Sequence, residues 1–372
     1  MVSGGADISD EAHSGYLDRS TASRRRNGQL ILLGASALVV LVLMLQVTDA
    51  TGLVHLGLTD WRPLLFAYVV WSIALCIRQV MVHGEKGRRA LFVLPAALFT
   101  LAMVVFPMIF GISLALSDWN LASLTGGRFN GLDNFYQMLR DPFYWNALRN
   151  MVFYVLMVLV EYAIAFGLAL LLNADIKGRR FFRIAFLLPL MLSPVAVSWM
   201  IGKSMMEIRF GPLARLARTL GWSNPQFFTD PWMARFMIEV MDAWTFIPFI
   251  MIMLLAGLQA LPREVQEAAR VDGASAWQGF WQITFPLMLP VSLTAIIIRI
   301  IFKLKIADII INVTSGGPGG ASDSVTSFIY RVYRDRSNVG YGTLLAFVYL
   351  IIIIVFITVL LNLVSRRMQK IA

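Results

Sequence analysis

Cysteine and histidine are almost missing from this sequence: it has one Cys and three His. Cys76 has no second cysteine to join, so an intrachain disulfide is excluded, and cysteine-based metal or redox chemistry goes with it. His13, His55 and His83 are far apart and lack the near spacing of a metal-binding pair, so no metal site is expected. There is no HExxH and no GxSxG to mark a hydrolytic centre, and no GxxxxGK[ST] phosphate loop to hold ATP. The chain is therefore not expected to be an enzyme. Charge is scarce too, at 15% Asp, Glu, Lys and Arg, against about 25% in soluble domains.

What fills the space is apolar. The chain is 58% hydrophobic with a mean hydropathy of +0.70, and a membrane span needs about 20 mostly apolar residues. Eight stretches qualify: 30 to 48, 64 to 82, 90 to 116, 151 to 172, 184 to 202, 237 to 257, 287 to 311 and 344 to 364. They are continuous, unlike the short alternating segments of a β-barrel. The expected fold is an all-α membrane protein, a polytopic bundle of about eight transmembrane helices.

Lys and Arg beside the spans set the orientation. Arg24, Arg25 and Arg26, then Lys86, Arg88 and Arg89, then Lys177, Arg179, Arg180 and Arg183, and finally Arg366, Arg367 and Lys370 all fall on one side when eight spans alternate. That side is taken as cytoplasmic, with both termini and the loop 258–285. The outer loop 203–236 runs against this rule with Lys203, Arg209, Arg215, Arg218 and Arg235, but its charges are dispersed along a longer loop. The net charge of +10 is thus read as attraction to anionic lipid headgroups, with no nucleic acid. Residues 1–29, polar and rich in Ser and Gly, read as a disordered cytoplasmic tail, and the span after them is expected to stay uncleaved.

One polar stretch stands out between apolar runs, "LPREVQEAARVDGASAWQGFWQITFPLMLP" at 261–290. Pro262 in front and Gly273 behind frame a short helix, whose Ala268 and Ala269 leave a flat surface. Gly273 permits a sharp turn, Ser275 can cap a second helix, and Trp277, Phe280, Trp281 and Thr284 recur at helical spacing. The stretch resembles the signature of the membrane permeases of ABC importers: Glu-Ala-Ala, three residues, Gly, nine residues, Ile, one residue, Leu-Pro. Glu267, Ala268, Ala269, Gly273, Ile283 and Pro286 match in register, with Phe285 where the pattern has Leu. Similar stretches at 129–155, 181–200 and 314–333 extend the resemblance over about residues 90–368, in the carbohydrate-uptake branch that includes maltose and glycerol-3-phosphate systems.

The resemblance implies a six-helix permease core at 90–372, preceded by two additional helices at 30–89. It implies that Glu267, Ala268, Ala269, Asp272, Gly273, Ile283 and Pro286 form a coupling loop seated in a dimer of cytoplasmic ATP-binding subunits. No cofactor is then expected on this chain, ATP and Mg belonging to that partner. A second permease, forming a heterodimer, and a periplasmic or lipid-anchored solute-binding protein that docks on the outer loops complete the implied assembly. The implied place is the bacterial cytoplasmic (inner) membrane, and the implied cargo a sugar, polyol or related small polar solute.

Charged and polar residues within spans are costly, which directs attention to Glu161, Asp242, Arg299 and Lys305, with the aromatic and hydrogen-bonding Trp244 and Thr245, as a translocation path. The competing reading is structural: Glu161 with Arg299, and Lys305 with Asp308, as ion pairs that fix packing. A different class, an ion-coupled secondary transporter, would also carry intramembrane acids, but the in-register loop motif and the lack of an obvious internal repeat weigh against it.

Overall fold

The computed structural model describes residues 7–50, 62–123 and 127–368. Its contacts divide the chain into two units, Met1–Gly111 and Ile112–Ala372. In the first, α1 (Asp7–Ala50) and α2 (Arg62–Ala90) lie antiparallel, and the indole N–H of Trp71 donates to the Ser36 hydroxyl at 3.0 Å. A Cβ at Gly28 would come within 3.3 Å of Met81 Cβ, so the glycine lets the helices approach closely. The hydroxyl of Tyr68 donates to the Leu98 carbonyl of α3 (Leu94–Ala115).

Two expectations are corrected here. Residues 7–29, read as a disordered tail, are helical and continuous with the first span; no proline interrupts 7–50, so the helix started by the apolar run extends backward. Residues 1–6 lie outside the described residues. The unit boundary falls at 111/112 rather than at 89/90, because packing, unlike the charge cluster at 86–89, groups most of α3 with the two helices before it.

The second unit holds α4 (Asp133–Arg140), α5 (Pro142–Asn173), α6 (Arg179–Leu187), α7 (Pro194–Val197), α8 (Pro212–Thr219), α9 (Pro231–Ala260), α10 (Arg263–Val271), α11 (Ala276–Gly279), α12 (Phe285–Lys303), α13 (Asp308–Val313), α14 (Val325–Arg334) and α15 (Val339–Met368). Its long helices start where sequence chemistry places a start. Asp141 accepts from Phe143 N at 2.9 Å and Asp230 from Met233 N at 2.8 Å, each with Pro as the next residue. Helices α5, α9 and α12 form the centre. One core gathers Tyr154, Met241, Ile310 and Phe328, and another Phe166, Leu254 and Met288.

Seven helices among the described residues are long and apolar enough to cross a membrane. The expected span 184–202 is instead broken: Arg179–Met191 and Pro194–Met205 meet at 96°. Ser193 stands before Pro194, a position that disfavours helical backbone, and is extended at φ −69°, ψ 148°. The expected span 287–311 also divides, with α12 ending at Lys303 and Asp308 opening α13. Side chains from later elements satisfy the freed carbonyls: Tyr349 Oη donates to Leu304 O at 2.8 Å and Ser324 Oγ to Ile306 O at 2.5 Å. The last helix starts five residues before the expected 344, at Val339, where a Cβ at Gly340 would collide with the Ser117 carbonyl.

The Gly-rich segment after α13 is an irregular loop turned inward. Asn150 Nδ2 donates to the carbonyls of Ala321 at 2.8 Å and Asp323 at 2.9 Å, and Tyr154 Oη to that of Ser322 at 2.9 Å. Burial pushes the Asp323 carboxyl up from its ordinary value, against the opposing pull of the Arg331 guanidinium and the Ser327 hydroxyl.

Candidate functional site

Two constellations answer to the residues singled out by sequence, and α9 and α12 connect them. The first follows the end of α9. Helix α10 begins just after Pro262 and presents Glu264, Glu267, Ala268 and Val271 on one face, all exposed, Val271 at 86%. These positions are three and four apart, so they share a stripe. The carbonyls of Ala268 and Ala269 accept from Asp272 N and Ala274 N, both at 2.9 Å, closing the helix onto Gly273 at φ +79°. A side chain there would strain the turn.

Ser275 then caps α11 reciprocally: Ser275 N donates to Gln278 Oε1 at 2.9 Å, and Gln278 N to Ser275 Oγ at 3.3 Å. A π-helical turn, Phe280–Thr284, joins α11 to α12 without a break. Its aromatics form a ladder, Trp277 to Trp281 at 5.6 Å and Trp281 to Phe285 at 5.1 Å between ring centroids, and Phe280 packs on Phe166 of α5 at 5.5 Å. Phe285, the departure from the Leu of the signature, is thus a packing residue. Ile283 and Pro286 are half-buried. Beside this element lies a cavity of about 650 Å³ between Leu170, Ala269, Ser275 and Phe280.

The second constellation is a buried ionic cluster in the middle of the unit. Arg299 Nε donates to Glu161 Oε2 at 2.5 Å and its Nη2 to Glu161 Oε1 at 2.9 Å, a bidentate pair, while Nη2 also reaches Asp242. One turn on, Lys303 Nζ lies 2.8 Å from Glu161 and 2.9 Å from Glu239, and contacts Asp242. All five side chains are buried, Lys303 and Arg299 at 0 and 1% exposure. The guanidinium also stacks on Phe246, 4.4 Å from the ring centroid. Oxygens of the three carboxylates lie within 4.8 Å of one another, a spacing that would suit a cation. The Lys303 ammonium sits among them instead.

The cluster contains Glu161, Asp242 and Arg299 of the sequence-derived path and adds Glu239 and Lys303. Glu239 with Asp242 (i, i+3) and Arg299 with Lys303 (i, i+4) are same-face spacings within apolar spans, a signal that sequence reading can use. Thr245 is buried beside it but donates to the Met241 carbonyl at 2.9 Å, and Trp244 is 39% exposed on another face of α9. Lys305 lies outside the cluster, exposed. Among the described residues no ion pair joins Lys305 to Asp308, because the break after α12 removes the helical register that would align them.

This geometry can be set beside known proteins. The profile of the family described as binding-protein-dependent transport system inner membrane component matches residues 29–371. The trehalose/maltose transport system permease protein MalF of Thermococcus litoralis is 32% identical over 75% of this chain and 94% of its own length. The sulfoquinovosyl glycerol transport system permease protein SmoG of Agrobacterium fabrum is 30% identical over 71% of this chain and 86% of its own. Among solved structures, a chain of a bacterial alginate ABC transporter, crystallised with an alginate pentasaccharide-bound periplasmic protein, shares the fold. Its TM-score is 0.66 at 22% identity, covering 77% of this chain and 98% of that one.

Proposed function

Since the chain belongs to the family of binding-protein-dependent transport system inner membrane components, we propose that it is the permease subunit of an ABC importer for a carbohydrate-type solute. The observation that carries this reading is the helix-turn-helix element of α10 and α11, whose exposed stripe of Glu264, Glu267, Ala268 and Val271 belongs to no packing core among the described residues. A small, acidic and apolar face of that kind suits a cleft in a partner. Here the partner is a cytoplasmic dimer of ATP-binding subunits, which supplies ATP and Mg. Glu267 contributes charge, Ala268 and Ala269 close approach and turn carbonyls, Gly273 the turn, and Asp272 an exposed acid at its edge.

Membrane placement follows the same reading: the bacterial inner membrane, both termini and the α10 element on the cytoplasmic side, and outer segments toward a solute-binding protein. A second, different permease completes the pathway. The solute class, a sugar, polyol or related polar molecule, is supported by relatives named for trehalose or maltose and for sulfoquinovosyl glycerol. On the path, Arg299, Lys303 and their carboxylates form the polar barrier that a solute meets between α5, α9 and α12. Trp244, Thr245 and Lys305, which do not belong to that network, have at most a flanking role.

The test is uptake measured with cellular ATP held constant. Glu267→Lys should insert normally and lose most uptake, and an uncoupler of the proton gradient should leave wild-type uptake intact. Wild-type uptake by Glu267→Lys at equal protein level would remove that residue from the coupling element. Loss of uptake with the gradient alone would turn the reading toward an ion-coupled carrier.

A further inference from the structure

Helix α6, the first limb of the broken span, has an unusual start. Its N-cap, Gly178, is left-handed at φ +80° and offers no side-chain acceptor, and its first turn has no acidic residue. The positive end of a helix favours anions, yet Arg179 and Arg180 are placed there, and Arg183 follows one turn later. With the Gln259 amide turned so that its carbonyl faces them, Nη2 of Arg179 and Nη2 of Arg183 donate to that one oxygen at 2.9 and 3.2 Å.

Two guanidinium groups therefore converge on a neutral amide. Neither has a carboxylate partner among the described residues, and the Nε of each is buried without any hydrogen-bond partner. Like charges brought this close cost energy unless an anion sits between them. The nearest side chains on α6 fit a lipid environment: Phe181 is 69% exposed and Ile184 58%. Gln259 stands in the last turn of α9, so the site is on the same membrane face as α10.

The geometry points to a phosphate site for one anionic phospholipid, its phosphodiester held by Arg179 and Arg183 with Gln259 beside it and Arg180 at the rim. Planar guanidinium groups pair with phosphate oxygens in two-point fashion, and the exposed Phe181 and Ile184 give the acyl chains a surface. This stands apart from the solute and the ATP-binding partner: it is a binding site for the membrane itself, bracing α6 to the end of α9.

The experiment uses the full-length chain, delipidated in mild detergent. It is mixed with equal amounts of phosphatidylglycerol and phosphatidylcholine of identical acyl chains, and native mass spectrometry counts the bound lipid. At roughly fivefold per basic residue at an anionic surface, phosphatidylglycerol should exceed phosphatidylcholine by roughly 25-fold in the wild type. Arg179→Gln with Arg183→Gln should lose most of that preference, and the matching Lys pair should keep part of it. Arg209→Gln with Arg215→Gln, on the outer loop, should leave it unchanged. Equal retention of both lipids by the wild type, which needs no variant to fold, overturns the site. So does an undiminished preference in the Arg179/Arg183 double variant, or loss of preference in the outer-loop pair. Displacement of the lipid by excess inorganic phosphate would identify free phosphate as the ligand and overturn the lipid assignment.

Discussion

Lys303 holds three carboxylates that would otherwise face one another in a medium of low dielectric. Removing one member of such a buried network leaves an unmatched charge, at a cost of about 3 to 5 kcal/mol. Lys303→Met should therefore lower the thermal unfolding temperature in detergent by several degrees, and adding Glu239→Gln should recover part of the loss. Additive losses in the double variant would mean that Glu239 and Lys303 act independently. Asp323 gives a prediction in pH. Its carboxyl holds its proton to higher pH when folded than when unfolded, so its contribution is fully present below the ordinary carboxylate range and is lost as pH rises through the raised value. Asp323→Asn, with no proton to lose, should flatten the fall of stability as pH rises above the ordinary carboxylate range, read from melting curves. At this scale the sequence disclosed the charged residues but not all their partners. Glu161 and Arg299 stand 138 positions apart and were paired on cost alone, whereas Glu239 drew no attention because nothing in its neighbourhood marks it beyond its spacing to Asp242.

Elements were legible where local chemistry decides them. The α10 turn could be read from Pro262, Gly273 and Ser275 because caps and left-handed turns depend on a few adjacent residues. Ser275→Ala should cost about 1 kcal/mol, seen as a lower melting temperature, and should weaken association with the ATP-binding subunits in a pull-down if the α11 start positions the face of α10. Retention of full association would separate the cap from the coupling face. The broken span resisted reading because hydropathy counts residues and ignores direction: 184–202 is apolar enough to cross, yet Ser193 and Pro194 turn it by 96°. The end of α12 was hidden for a related reason. Leu304 and Ile306 continue the apolar run, and only distant side chains, those of Tyr349 and Ser324, make a break there tolerable.

For the whole molecule, composition was enough for a polytopic helical membrane protein, and the loop motif for its family. The partition of the chain was less accessible, because packing between helices leaves no linear trace in residues that are apolar on every face. The two helices before residue 90 precede the stretches that carry the motif resemblance, although the family profile extends back to residue 29. A chain beginning at residue 90 should still insert in the same orientation, since two spans are removed together, and should still co-purify with an ATP-binding subunit; loss of that association would make the first two helices part of the assembly surface. One connection has a mechanical meaning. From Ala260 to Asp242, α9 rises about 1.5 Å per residue, roughly 27 Å, so a tilt of about 10° pivoting at the α10 end would sweep Asp242 sideways by nearly 5 Å. Helix α12 is anchored at the same end. Bonds between these two rods can travel with them, but those from Arg299 and Lys303 to Glu161 on α5, set at 2.5 and 2.8 Å, cannot stretch that far, so a tilt of that size would have to break them and Glu161 would act as a latch between α5 and the two rods.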